Sequence, residues 1–174
     1  MKMLLCSKMN GNGNDFIMIN NMDKKYSTES LSSMALNLCR RREAVGADGI
    51  LAAEPSEHAD FKMRLFNRDG SEGEMCGNGS RCIARYAFEK GIVNSSDMIF
   101  ETLGGDVHAS VNGSMAALHL APISLENVTV GMSASVDGIE FNYTFITVGV
   151  PHTVIFEKAR SRTREGYVAF GRAV

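Results

Sequence analysis

The sequence has no tryptophan, only three prolines, and four cysteines in 174 residues. No two of those cysteines stand in the CxxC spacing of a structural zinc site or a thioredoxin-like redox pair. A long apolar run is also missing. Met1 to Ser7 carries one base and a few apolar residues and turns polar at Lys8 and Asn10, too short for a signal peptide. No later stretch approaches the roughly 20 apolar residues of a spanning helix. The expectation is a cytoplasmic protein with no membrane partner, in which Cys6, Cys39, Cys76 and Cys82 are free thiols. Nor is there an excess of one charge. Eighteen Lys and Arg against twenty Asp and Glu give a net charge of −2, which offers nucleic acid no electrostatic footprint.

With 44% hydrophobic and 22% charged residues, the chain has the composition of a globular fold with a buried core. The pattern predicts an α+β protein with more strand than helix. Met3 to Asn20 reads as strand, a tight Gly11-Asn12-Gly13-Asn14 turn, and strand again. From Ser27 to Arg42, Leu31, Met34, Ala35 and Leu38 recur at helical spacing. Arg40, Arg41 and Arg42 read as the helix's cationic terminus rather than an anion site. Gly46-Ala47-Asp48-Gly49 turns the chain into a short strand, Ile50 to Ala53. A second follows, in which Phe61, Met63 and Leu65 alternate with Lys62 and Arg64. A second helix is predicted from about Asn78 to Lys90, with Ile83, Ala84, Ala87 and Phe88 on one face and Gly91 as its stop. Beyond Met98 come short strands: Ile99 to Leu103, Val107 to Val111, Met115 to Leu120 closed by Pro122, Val128 to Val130, Ile139 to Val150 and Thr153 to Phe156.

The segment from Asn67 to Cys82 is the richest in chemistry. Cys76 falls directly before the predicted second helix and is followed by Gly77-Asn78-Gly79. The first N–H groups of a helix lack internal partners, and the helix dipole places partial positive charge there. A thiol at such a position is more easily ionised, and the N–H groups beside it can hold a carboxylate or phosphate. Cys82, one and a half turns further on, reads as a core residue. His152 could serve as an acid or base, yet a lone histidine beside a strand is more often structural.

Four blocks occur in order: Met9-Asn10-Gly11-Asn12-Gly13-Asn14-Asp15-Phe16; Gly46-Ala47-Asp48-Gly49-Ile50-Leu51; Phe66-Asn67-Arg68-Asp69-Gly70-Ser71-Glu72-Gly73-Glu74-Met75-Cys76-Gly77-Asn78-Gly79-Ser80-Arg81; and Gly149-Val150-Pro151-His152. Together they resemble the diaminopimelate epimerase family. The resemblance implies a cofactor-independent isomerase of lysine and peptidoglycan synthesis that converts LL-diaminopimelate to the meso form. It implies a fold of two similar halves, each a curled, barrel-like mixed sheet around a central helix, with residues 1–120 the first half and 121–174 the beginning of the second. It makes Cys76 one of two catalytic cysteines and Asn14, Asn67, Gly77 and Asn78 substrate contacts, the last two through backbone N–H groups. No metal or cofactor is expected. Two thiols suit this chemistry, because a thiolate can take an α-proton on one face while a thiol returns one on the other. Hydrogen bonds at helix starts stabilise the charge that develops.

The chain departs from the family pattern in three places. Val150 stands where many members carry Asn, and Gly49 where some carry Gln. The second Cys-Gly-(Ser/Thr)-Gly block, which the pattern places well beyond His152, does not occur in these 174 residues. The expectation is that this polypeptide alone is inactive, and that it self-associates or pairs with a complementing second half. The competing readings are a related cofactor-free racemase of proline or histidine, and a non-catalytic half-subunit.

Overall fold

The computed structural model describes residues 4–119, 125–136, 138–148, 150–157 and 162–173. They group into two compact units, Met1–Leu120 and Ala121–Val174.

The first unit begins with the antiparallel hairpin of β1 (Ser7–Gly11) and β2 (Asn14–Asn20). Asn12 and Gly13 both take positive φ in its turn, the geometry that matches the twist of the flanking strands. Helix α1 (Thr28–Leu38) follows, capped by the Ser27 side chain on the Ser30 N–H. Next come β3 (Gly49–Glu54), β4 (Phe61–Asn67), the two-residue β5 (Glu72–Gly73), α2 (Gly77–Glu89), β6 (Asp97–Thr102), β7 (Gly105–Asn112) and β8 (Met115–His119). The strands form one mixed sheet in the order β1-β2-β3-β4-β6-β7-β8, with β5 on β4 and parallel pairing at β2/β3 and β4/β6.

Helix α2 touches β1, β2, β3 and β4 and also β7 and β8. The two edges of the sheet therefore reach the same helix, and the sheet curls around it. This arrangement explains why β2 and β3 are apolar on both faces. Phe16, Met18, Leu51 and Ala53 point inward to Cys82, Ile83, Ala84 and Ala87 of α2. Ile17, Ile19, Ile50 and Ala52 point outward and are covered by Leu31, Ala35 and Cys39 from α1 and the residue after it. Such a strand reads as a continuous hydrophobic run rather than an alternating one. At the far end of α2, Gly91 takes φ +66°, with its N–H on Phe88 O and that of Ile92 on Ala87 O, a Schellman stop.

The second unit contains a 3-10 turn (Leu125–Asn127), an antiparallel sheet in the order β11-β10-β9, and α3 (Arg164–Ala173). Its strands are β9 (Thr129–Val136), β10 (Ile139–Val148) and β11 (Val150–Ile155).

Several expectations need correction. Helix α1 stops at Leu38, so Arg40, Arg41 and Arg42 lie in the turn beyond it, with Arg42 at φ +69°. Phe88 is 39% exposed rather than part of the buried face of α2, because α2 is enclosed through Ile83, Ala84 and Ala87 while its last turn emerges. Strand β9 runs six residues past Val130, where Gly, Ser and Ala hid it. Pro151 and His152 sit inside β11, paired with Thr147 and Ile146, instead of breaking the chain. Proline is tolerated there because β11 is an edge strand. Helix α3 lies where the sequence pattern predicts no element, and none of its described residues is buried. Leu120, Pro122 and Gly149 lie outside the described residues.

Candidate active site

Cys76 is the N-cap of α2. Its backbone is extended (φ −146°, ψ 113°), its carbonyl accepts the Ser80 N–H at 2.7 Å, and its sulfur accepts the Gly79 N–H at 3.4 Å. Gly77 and Asn78 are the next two residues, and their N–H groups have no carbonyl one turn back to bond. The sulfur, half-buried, thus stands beside the positive pole of the helix and beside two available donors.

The β1–β2 turn supplies the opposite wall. Asn14 Oδ1 lies 3.6 Å from Cys76 Sγ and 3.5 Å from Asn78 Nδ2. Arg81, one turn into α2, donates to Asn78 Oδ1, which leaves the Asn78 amine facing Asn14. The other end of the Asn14 amide, Nδ2, donates to Asp48 Oδ2 at 2.8 Å. Asp48 sits in the turn that enters β3, and the Asp15 N–H also reaches its Oδ2, at 3.2 Å.

Behind Asp48 stands a charge cluster. Arg41 bonds Asp15 through both terminal nitrogens, at 2.5 and 3.2 Å, and Asp48 Oδ1 at 2.9 Å, while Lys8 pairs with Asp15 at 3.0 Å. The Arg41 hydrogen bond holds the Asp15 carboxyl far below the usual carboxylate range, against the opposing effect of burial and with Lys8 adding to it. Burial alone would push Asp48 up. Hydrogen bonds from Asn14, the Asp15 N–H and Arg41 outweigh it and bring Asp48 below its ordinary value. Both groups are carboxylates at neutral pH, and Asp15 and Asp48 together raise the pKa of Arg41.

The structure therefore brings Asn14, Cys76, Gly77 and Asn78 into one place. Asn67 ends β4 in the same row of the sheet, where Phe16 pairs with Gly49 and Gly49 with Asn67. It is exposed, and its amide donates to Ser71 Oγ at 3.0 Å rather than to the cysteine cluster. Gly49 has no room for a side chain on this backbone, since a Cβ there would lie 2.6 Å from the Phe66 carbonyl oxygen. Among the other thiols, Cys82 and Cys39 are buried and Cys6 is exposed. Burial pushes Cys82 up, and pushes Cys39 up to about 11. His152 is exposed on the second unit. Reading the arginines as a helix terminus missed Arg41, and treating Asp48 as a turn residue missed its part. The available signal was a carboxylate directly after the asparagine turn, at Asp15, with a second at Asp48 and an unaccounted cation between them.

The curled mixed sheet closed on a central helix defines a fold class with solved members. A PhzF-family phenazine biosynthesis protein from Bacillus anthracis matches it with a TM-score of 0.66 at 18% identity, over 89% of this chain and 56% of its own. A hydroxyproline epimerase from Agrobacterium vitis, solved with trans-4-hydroxy-L-proline, matches with a TM-score of 0.60 at 15% identity, over 86% of this chain and 50% of its own. Within that class the chain belongs to the diaminopimelate epimerase family, whose model matches residues 6–120. Diaminopimelate epimerases of Caldanaerobacter subterraneus and Carboxydothermus hydrogenoformans are 41% and 39% identical to it, each over 86% of this chain. The chain spans 59% and 58% of their lengths.

Proposed function

We propose that the chain provides one catalytic half of a cofactor-independent epimerase acting at an α-carbon of LL-diaminopimelate, in lysine and peptidoglycan synthesis in the cytoplasm. The observation that carries this reading is the Cys76 sulfur at the start of α2, beside the open N–H groups of Gly77 and Asn78. In the proposed reaction the α-carboxylate binds those N–H groups, which strengthen their hold as charge develops at the α-carbon. Cys76 as thiolate takes the α-proton on its face, becoming a thiol, and a second acid on the opposite face delivers a proton to the carbanion. In the reverse direction Cys76 gives its proton back. Asn14 and Asn67 line the same end of the sheet and bond the substrate's polar groups.

Residues 1–120 form the first half of this reading and 121–174 belong to the second. The partner is a small amino acid, with a complementing half or a second copy supplying the opposite acid. The test follows LL-diaminopimelate in deuterated solvent by NMR. These 174 residues hold one Cys-Gly-Asn-Gly block, so the polypeptide alone gives no two-way interconversion. Full racemisation by this polypeptide, undiminished in Cys76→Ala, would overturn the assignment.

A further inference from the structure

The Asn14 amide has two ends, and its surroundings dictate which way it points. Asp48 is a carboxylate, so it can only accept a hydrogen bond, and it lies 2.8 Å from one end of that amide. The donor Nδ2 must face it, which turns Oδ1 toward Cys76 Sγ and Asn78 Nδ2. At the far end of the chain Arg81 can only donate, and it takes Asn78 Oδ1, which turns the Asn78 amine toward Asn14. Both termini agree on one set of amide orientations. The proton left to choose is the one on the Cys76 sulfur.

We propose that Asp48, gripped by Arg41, is a positioning residue for Cys76: it fixes the Asn14 amide so that an acceptor oxygen, not the amine, faces the sulfur. The proposal rests on the reading of Cys76 as an acid and base. An acceptor oxygen 3.6 Å from sulfur can take the S–H hydrogen and offers nothing to a thiolate. The Gly79 N–H, 3.4 Å away on the other side, favours the ionised form. The sulfur thus sits between one group that suits the thiol and one that suits the thiolate, as an atom that must both give and take a proton requires. The charged and titratable groups around this network are Lys8, Asp15, Cys39, Arg41 and Asp48 on the Asn14 side and Arg81 and Cys82 on the α2 side.

In Asp48→Asn the single side-chain oxygen cannot serve both Arg41 and the Asn14 amine, so the Asn14 amide is no longer gripped and its Oδ1 is released from the sulfur. The test measures the rate of Cys76 carbamidomethylation against pH, by mass mapping of the 174-residue polypeptide. Asp48→Asn lowers the pH midpoint by about one unit, the scale of one hydrogen bond changing preference between thiol and thiolate. Asp15→Asn removes a neighbouring negative charge without releasing Asn14, and shifts the midpoint less than half as far. Asn14→Ala, which deletes the acceptor and leaves the charges, also lowers it and keeps the test open if Asp48→Asn fails to fold. In the Asn14→Ala background the further Asp48→Asn change shrinks to the size of the Asp15→Asn effect. An unchanged midpoint in Asn14→Ala, or equal shifts in Asp48→Asn and Asp15→Asn, overturns the proposal. The catalytic reading fails separately, by loss of substrate protection at Cys76 with these shifts intact.

Discussion

Gly11 at the end of β1 and Asn78 in the first turn of α2 meet with no space for a side chain between them. A Cβ on Gly11 would lie 2.8 Å from the Asn78 carbonyl oxygen and 3.1 Å from Cys82 Sγ. This close approach lets the β1–β2 turn carry Asn14 to within hydrogen-bond reach of Cys76. Gly11→Ala should push the helix start away from the turn, lowering stability by about 1–3 kcal/mol, the usual scale for overpacking. Urea denaturation checks the loss, and mass mapping should show Cys76 alkylation changing with it. An unaltered Cys76 rate in a destabilised protein would mean that the contact does not set the thiol's surroundings.

The four thiols should react in an order fixed by their places. Cys76, half-buried at a helix start, is expected to be alkylated first under limiting iodoacetamide. Cys39, buried and pushed up to about 11, and the buried Cys82 should lag by orders of magnitude near neutral pH. Reaction of Cys6 or Cys39 ahead of Cys76 would remove the argument from the helix terminus.

The Asp15 and Asp48 carboxyls make stability depend on acid. Both have folded-state pKa values below the unfolded value of 3.8, so their contribution is full above that pH and is lost as pH falls toward the folded values. The denaturation midpoint should therefore stay level from neutral pH down to about pH 5 and fall steeply below pH 4. Asp15→Asn should lower the midpoint at pH 7 and flatten the acid decline. An equal acid decline in wild type and variant would place the linkage elsewhere.

Much of this was legible in the sequence. The Asn-Gly turn, the alternation in β4, the periodicity of α2 and its Gly91 stop each come from local chemistry, so local pattern exposes them. The Cys76-Gly77-Asn78 run announced a helix start with open donors. Other features depend on partners distant in sequence. Strand β9 looks weak because Ser133 and Ser135 gain their pairing only from β10, and Gly131, at φ +70°, falls at the register shift between the two strands. Phe88 matches the spacing of a core face, but how far the sheet curls decides where that face ends. Arg41 was hidden for the same reason: its meaning comes from Asp15, 26 residues earlier, which the β1–β2 hairpin brings to it.

The most direct measurement is protection of Cys76 by substrate. Carbamidomethylation of each thiol is timed by mass mapping with and without LL-diaminopimelate. Binding at Gly77 and Asn78 should slow Cys76 several-fold and leave Cys6 unchanged, with lysine, which lacks the second carboxylate, protecting less. Equal rates at Cys76 with and without LL-diaminopimelate, or equal slowing at Cys6, would contradict the assignment of Cys76 to the substrate site.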